Sequence, residues 1–270
     1  MGISTILRAA GASAICVALA GLVAFAPARE SAAGQRSSRI MFLVTAEPQN
    51  YEADQTISRF AKTLHERRGH ECTVVQGEGP LEGVRFPGLE ALDRADLLVI
   101  FFRRSGLSPA QLGVIRRHLG AGKPLVGIRT ANHAFSVNGV PAAGHEKWWE
   151  FAPEVLGCEN RGYGKEADGV DVAIVPNAAR HPILEGVEPL SWHSQGALYR
   201  VKPLVDDDAT VLLTGSSGPF TDEPLAWTRI AGKSRVFYTS LGCPADFDLP
   251  QYRRLLENGI EWALDTDFRR

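Results

Sequence analysis

The stretch "PLVGIRTANHAF", Pro124 to Phe135, starts as an apolar run and turns abruptly into a corner that holds Arg129, Thr130, Asn132 and His133. A short apolar run without polar alternation suits a strand buried on both faces, the usual state of a strand in a parallel sheet. Polar side chains placed directly after such a strand stand at its carboxyl end, where open α/β sheets bind ligands. The stretch therefore predicts both a fold class and a position for the function.

Working outward, the chain alternates strand-like and helix-like segments, the pattern of an α/β fold with helices covering a mostly parallel sheet. Upstream, "RIMFLVTA" (Arg39 to Ala46) reads as a first buried strand, "ECTVVQG" as a second and "DLLVIFF" (Asp96 to Phe102) as a central third. Ile57, Phe60, Ala61 and Leu64 at helical spacing predict a helix from about Asp54 to Arg68 that stops at Gly69. Ser108, Pro109 and Gln111 predict the start of another, with a capping hydroxyl, a first-turn proline and a glutamine three residues after the cap; it ends near Ala121. Downstream, "HEKWWEFAPEVLG" (His145 to Gly157) reads as a helix interrupted or restarted at Pro153, and "VDVAIVP" as a strand. "ALYRV", "TVLLTG", "PLAWTRI" and "RVFYTSL" follow as short strands, the last two joined by a hairpin loop at "AGKS", and a final helix from Pro250 turns Tyr252, Leu255, Leu256, Ile260 and Ala263 inward.

The first 33 residues stand apart. Arg8 precedes an apolar run from Ala9 to Phe25, followed by small-residue sites at Ala24 to Ala26 and Ser31 to Ala33, the layout of a secretory signal peptide. Pro27 disfavours the first site, so cleavage is expected at the second, with uncleaved anchoring as the alternative; Cys16 lacks the small residue that precedes a lipidated cysteine. Export to the periplasm or beyond is the expectation, with residues 34–270 as a single domain. No later segment is long and apolar enough to span a bilayer. Without the leader the chain has 27 basic and 30 acidic side chains, a balance that does not suggest nucleic acid as a partner. Cys72, Cys158 and Cys243 remain, too few and too scattered for more than one disulfide or for a structural zinc site.

Reading off the strand ends collects Glu47 after the first strand, Arg103 and Arg104 after the third, and Arg129, Thr130, Asn132 and His133 after the fourth. Thr239, Cys243 and Asp246 follow the last. These groups either meet at one rim or cap helices and pair as surface ions. His133 is the leading candidate for proton transfer because an imidazole titrates near neutral pH. His193, beside Trp192 in "SWHSQGALYR", is the second, and Asp246 is a candidate to orient either histidine. Arg129 is expected to hold a ligand oxygen in the same pocket as His133, or to brace the rim through an ion pair with Glu47. Of the adjacent Trp148 and Trp149, only one can face the core squarely, leaving the other to stack on a sugar ring or to pack.

The segments "VTAEP", "FFRRSGLSPAQL", "GKPLVGIRTANHAF", "HPILEGV", "GALYRVKPL", "LAWTRIAGKSRVFYTSLG" and "RRLLENGIEWAL" resemble the trehalose-utilisation (ThuA-like) family of the class I glutamine amidotransferase-like superfamily, over roughly residues 38–265. The resemblance implies a flavodoxin-like three-layer sandwich, here with an extra β-hairpin in its second half, and a link to carbohydrate metabolism. Amidotransferases of that superfamily carry a cysteine nucleophile in the turn after the fourth strand, and Arg129 occupies the matching position. A guanidinium stays protonated and cannot attack a carbonyl, so glutaminase chemistry is not expected. Relatives show a histidine where this chain has Cys243, and histidines after the "F-x-x-E-V-L-G" block, where "CENRGYGKEADG" (Cys158 to Gly169) has none.

Two functions follow. One is an enzyme that processes a sugar or keto-sugar by proton-transfer or hydrolytic chemistry; the other is a non-catalytic sugar-binding or accessory protein. Metal-dependent hydrolysis would rest on His133, His145, His181 and His193, which lack ligand spacing. No cofactor is predicted, a metal is left open, the partner is a small carbohydrate, and a homo-oligomer is possible.

Overall fold

The computed structural model describes residues 37–265, together with Met1 and Gly2. The leader reading, from Arg8 to Ala33, lies outside the described residues. β1 (Arg39–Thr45), β3 (Leu97–Phe101) and β4 (Leu125–Ile128) are parallel neighbours, with β2 (Glu71–Gly77) outside β1. Side chains along a strand alternate between the two faces of its sheet. Both faces of β1 and β3 are apolar, so successive residues enter two separate cores. Ile40, Phe42, Val44, Leu97, Val99 and Phe101 join one, while Met41, Leu43, Leu98 and Ile100 join the other.

α1 (Ala53–Arg68) covers the first core with the predicted Ile57, Phe60, Ala61 and Leu64. It ends at Gly69, whose φ of 74° is a left-handed conformation that an L side chain enters at a cost. α2 (Pro109–Gly120) covers the second core with Leu112, Val114 and Ile115. The Ser108 hydroxyl caps it by accepting from the Gln111 amide N–H. The reciprocal arm of the cap is not made, because the Gln111 side chain donates to the Phe86 carbonyl instead. α3 (Pro250–Leu264) returns to the first core with the five inward residues its spacing predicted.

The second half departs from the parallel scheme. β5 (Val170–Ile174), β6 (Ser191–Ser194), β7 (Thr210–Ser217), β8 (Phe220–Ala231) and β9 (Ser234–Thr239) complete a nine-stranded sheet of order β2-β1-β3-β4-β9-β8-β7-β5-β6. β9 lies parallel to β4; the pairs beyond it are antiparallel. The hairpin at "AGKS" joins β8 to β9 as read from sequence, but the addition is a four-strand antiparallel extension, larger than one hairpin.

Two local readings are corrected. "ALYRV" forms no strand, only an isolated bridge between Tyr163 and Tyr199; the strand lies at Ser191–Ser194, which polar side chains disguised. His145 to Gly157 is a helix only from Phe151 to Leu156, in a wide π-type turn. Trp148 packs into the second core on Phe135 and Phe151, at ring-centroid distances of 5.5 and 5.2 Å, while Trp149 points out with 57% of its surface exposed. Among the described residues no helix is long and apolar enough to cross a membrane.

Candidate functional site

The register aligns the strand ends. Val44 lies opposite Phe101, Ile100 opposite Gly127, and Ile128 opposite Thr239, so the segments following β1, β3, β4 and β9 emerge along one edge. Asn50, which sequence reading did not single out, ties three of them together. Its amide donates to the carbonyls of Thr45 (3.1 Å) and Phe101 (3.0 Å), and its oxygen accepts from the Thr130 hydroxyl at 2.8 Å. Thr130 is thus a brace at the rim, and buried.

Immediately after β4 the chain makes a tight turn, Arg129–His133, with Arg129 at φ 44°. A left-handed arginine is strained and persists only where its surroundings hold it. They do: the Tyr238 hydroxyl donates to the Arg129 carbonyl at 2.6 Å, and the guanidinium donates to the carbonyls of Ser240 (2.9 Å) and Ala197 (3.4 Å). It lies 4.0 Å from the ring centroid of Tyr51 and 4.7 Å from that of Tyr199. Burial opposes the charge, yet the facing Tyr199 and Tyr51 leave the guanidinium more firmly protonated than usual. A charged guanidinium is no nucleophile, and only 1% of this residue is exposed. The ion pair with Glu47 is not formed: Glu47 lies 3.9 Å from Arg103, which also donates to the Gln49 side chain at 2.6 Å.

Four residues on, His133 has a different setting. A cavity of about 330 Å³ is lined by Asn132 to Ser136, by Trp148, Trp149 and Phe151 to Pro153, and by Arg104, Glu159 and Asn160. His133 Nδ1 lies 2.5 Å from Asn132 Oδ1. The tautomer that satisfies this contact has the proton on Nδ1 and the free acceptor at Nε2. The Asn160 amide nitrogen lies 3.1 Å from the same imidazole nitrogen, to which it cannot donate once Nδ1 carries the proton, and its N–H donates instead to the Tyr163 hydroxyl at 2.7 Å. Burial first, then the charges of Arg104, Arg103 and Arg129, hold the His133 pKa well below its ordinary value. The imidazole is neutral at pH 7.

The predicted set therefore separates. His133, Asn132 and Arg104 line the cavity; Arg129, Glu47, Arg103, Cys243, Asp246, His193 and Trp192 do not. Asp246 orients neither histidine. Its Oδ2 accepts from the backbone N–H groups of Gly242 (2.7 Å) and Cys243 (3.0 Å), fixing the turn after β9. His193 sits exposed on the outermost strand and pairs with Asp171 at 2.8 Å across β5 and β6. Trp192 packs, half-buried, against the first core. Cys243 lies 4.0 Å from the Ser194 hydroxyl, and burial, then nearby Asp246, raises its pKa. All three cysteines among the described residues are free, and no three His, Cys, Asp or Glu side chains there are grouped to hold a metal ion.

Sequence reading missed Asn160, Tyr163 and Tyr199. The first two belong to "CENRGYGKEADG", the segment noted only for lacking histidines; here it supplies an amide and a phenol to the imidazole's surroundings. Tyr199 carries the longest-range link, its ring 5.9 Å from His133 on one side and under Arg129 on the other.

A family model described as "ThuA: Trehalose utilisation" matches residues 40–263. Among solved structures, the chain is similar to a ThuA-like protein from Bacteroides uniformis ATCC 8492, with TM-score 0.65, 19% identity, and 88% of this chain and 95% of that one covered. It is also similar to a ThuA-like protein from Parabacteroides merdae ATCC 43184, with TM-score 0.60, 16% identity, and 85% and 90% covered. At such identities the likeness speaks for the fold. No curated protein matches the sequence.

Proposed function

The chain belongs to the ThuA, or trehalose-utilisation, family, and on that premise we propose that it binds and processes a sugar or keto-sugar in the cavity at the His133 corner. One observation carries the reading. The same cavity is lined by an exposed tryptophan, Trp149, and by a neutral imidazole with two side-chain amides, from Asn132 and Asn160. Sugar rings present apolar C–H faces and hydroxyl edges, and this combination of aromatic surface with neutral donors and acceptors complements both. The volume falls within the lower range of small-molecule sites.

In this reading the Nε2 of His133 accepts a proton from a hydroxyl or from a carbon next to a keto group, while Asn132 fixes the tautomer. No cysteine nucleophile takes part, since Arg129 fills that turn. A specific observation favours the runner-up, a non-catalytic sugar-binding protein: a strongly depressed pKa makes the imidazole a weak base. The two readings diverge for His133→Ala. A general base predicts turnover lower by about 10²- to 10⁴-fold with modest loss of affinity, whereas a binding protein predicts a change in affinity alone. Product analysis and calorimetry on a panel of sugars and keto-sugars separate them, and a variant that binds and turns over like its parent rejects both.

The parallel half, of order β2-β1-β3-β4-β9, supports a flavodoxin-like arrangement for this scaffold. Export is part of the same proposal and rests on the Arg8, apolar-run and Ser31 to Ala33 layout. N-terminal sequencing of the protein recovered from its cell tests it; an intact Met1 on soluble cytoplasmic protein would refute it.

A further inference from the structure

The charges around the cavity do not balance. Glu159 is the one acid on its wall, and it is engaged by Arg161 at 2.8 Å. Arg104, on the same wall, meets no carboxylate within 4.0 Å among the described residues; its guanidinium donates to a neutral acceptor, the Asn138 side-chain oxygen, at 2.9 Å. Its backbone is held at φ 46° with its N–H donating to the His133 backbone carbonyl at 2.8 Å, so the loop after β3 is tied to the turn after β4. A non-glycine residue in that region costs energy that the surrounding fold must offset, and such strain concentrates at ligand sites. Arg129, buried and outside the cavity lining, has two backbone carbonyls as its acceptors, and Lys147 stands 5.0 Å over the Trp149 ring. Arg103, by contrast, is used by Gln49 and Glu47.

We propose that the ligand of this cavity is an acidic sugar, its carboxylate or phosphate oxygens seated on the Arg104 guanidinium while its ring lies along Trp149. This deepens, and rests on, the reading of the cavity as a sugar site. A planar guanidinium matches the paired oxygens of either anion, and the partly enclosed apolar wall strengthens the attraction relative to water. A neutral sugar would leave the positive charge of Arg104 on the cavity wall unanswered; an anionic one answers it.

The test is calorimetric titration of the full chain at low salt with glucose, glucuronate and glucose 6-phosphate, repeated for Arg104→Gln, Arg104→Asn and Trp149→Ala. At least one of the two anionic sugars is expected to bind at least tenfold more tightly than glucose, which one identifying the anion. The preference, read in each protein as the ratio of anionic-sugar to glucose affinity, should shrink as salt rises and should vanish in both Arg104 variants. Asparagine tolerates the left-handed backbone, so Arg104→Asn keeps the experiment decisive if Arg104→Gln folds poorly. Equal binding of glucose and both anions, or an anion preference that survives in Arg104→Asn, overturns the proposal even where Trp149→Ala weakens every sugar and so upholds the sugar site. Failure of all three sugars to bind, or binding indifferent to Trp149→Ala, overturns the sugar site and this inference together.

Discussion

Arg129 and His133 lie four residues apart in one tight turn, yet they have opposite fates. Arg129 is sealed between two tyrosine rings with two carbonyls as its acceptors, whereas His133 lies along an open cavity among amides and an exposed tryptophan. Adjacent polar residues at a strand end are therefore not one site by default. Backbone direction through a strained turn assigns one to the scaffold and the other to the ligand.

The largest effect that tests this contrast is on stability. Arg129→Ala orphans the Ser240 and Ala197 carbonyls and empties the space between Tyr51 and Tyr199, and should cost about 3 to 4 kcal/mol in urea unfolding. An unchanged midpoint would place Arg129 outside the scaffold. Trp149→Ala should behave in the reverse way. Its side chain is mostly exposed, so stability should move by less than about 0.5 kcal/mol while sugar affinity falls roughly tenfold, equivalent to about 1.4 kcal/mol.

A smaller effect appears in pH dependence. Burial lowers the pKa of His133, His118 and His181, helped by nearby arginines at His133, by Lys123 at His118 and by Arg235 at His181. The unfolded imidazoles take protons near pH 6.5 and the folded ones resist, so the unfolded state binds more protons below that pH. Stability should be full above about pH 6.5 and fall as the pH drops toward the depressed folded values. Urea midpoints measured from pH 8 to 5 should show this slope, and His133→Ala should flatten part of it; an equal slope in the variant would mean that His133 is not held neutral by the fold.

The smallest effect concerns Cys243. Cys243→Ala should cost no more than about 1 kcal/mol and leave ligand binding alone, and the thiol should alkylate slowly at neutral pH, because burial and Asp246 hold it protonated. Rapid alkylation with loss of binding would extend the functional site from His133 to the turn after β9.

The sequence by itself determined the α/β class, the parallel half with its helices, and the edge where polar residues gather. Those features rest on local apolar periodicity and on caps such as Ser108, which act within a few residues of their own position. Local spacing reads Trp148 and Trp149 as helix residues with packing as the use of both, whereas they precede the helix and only Trp148 is buried. Only the tertiary structure decided that Arg129 turns inward, that Asp246 serves two backbone amides, and that His193 ends on the outermost strand. It alone brought Asn160 and Tyr199 to the imidazole of His133, across 27 and 66 residues of chain. Periodicity shows which face of an element is apolar, but not which distant loop comes to lie on a strand end. That is set by sheet order, strand register and the strained backbone angles of Arg104 and Arg129, which depend on the whole fold.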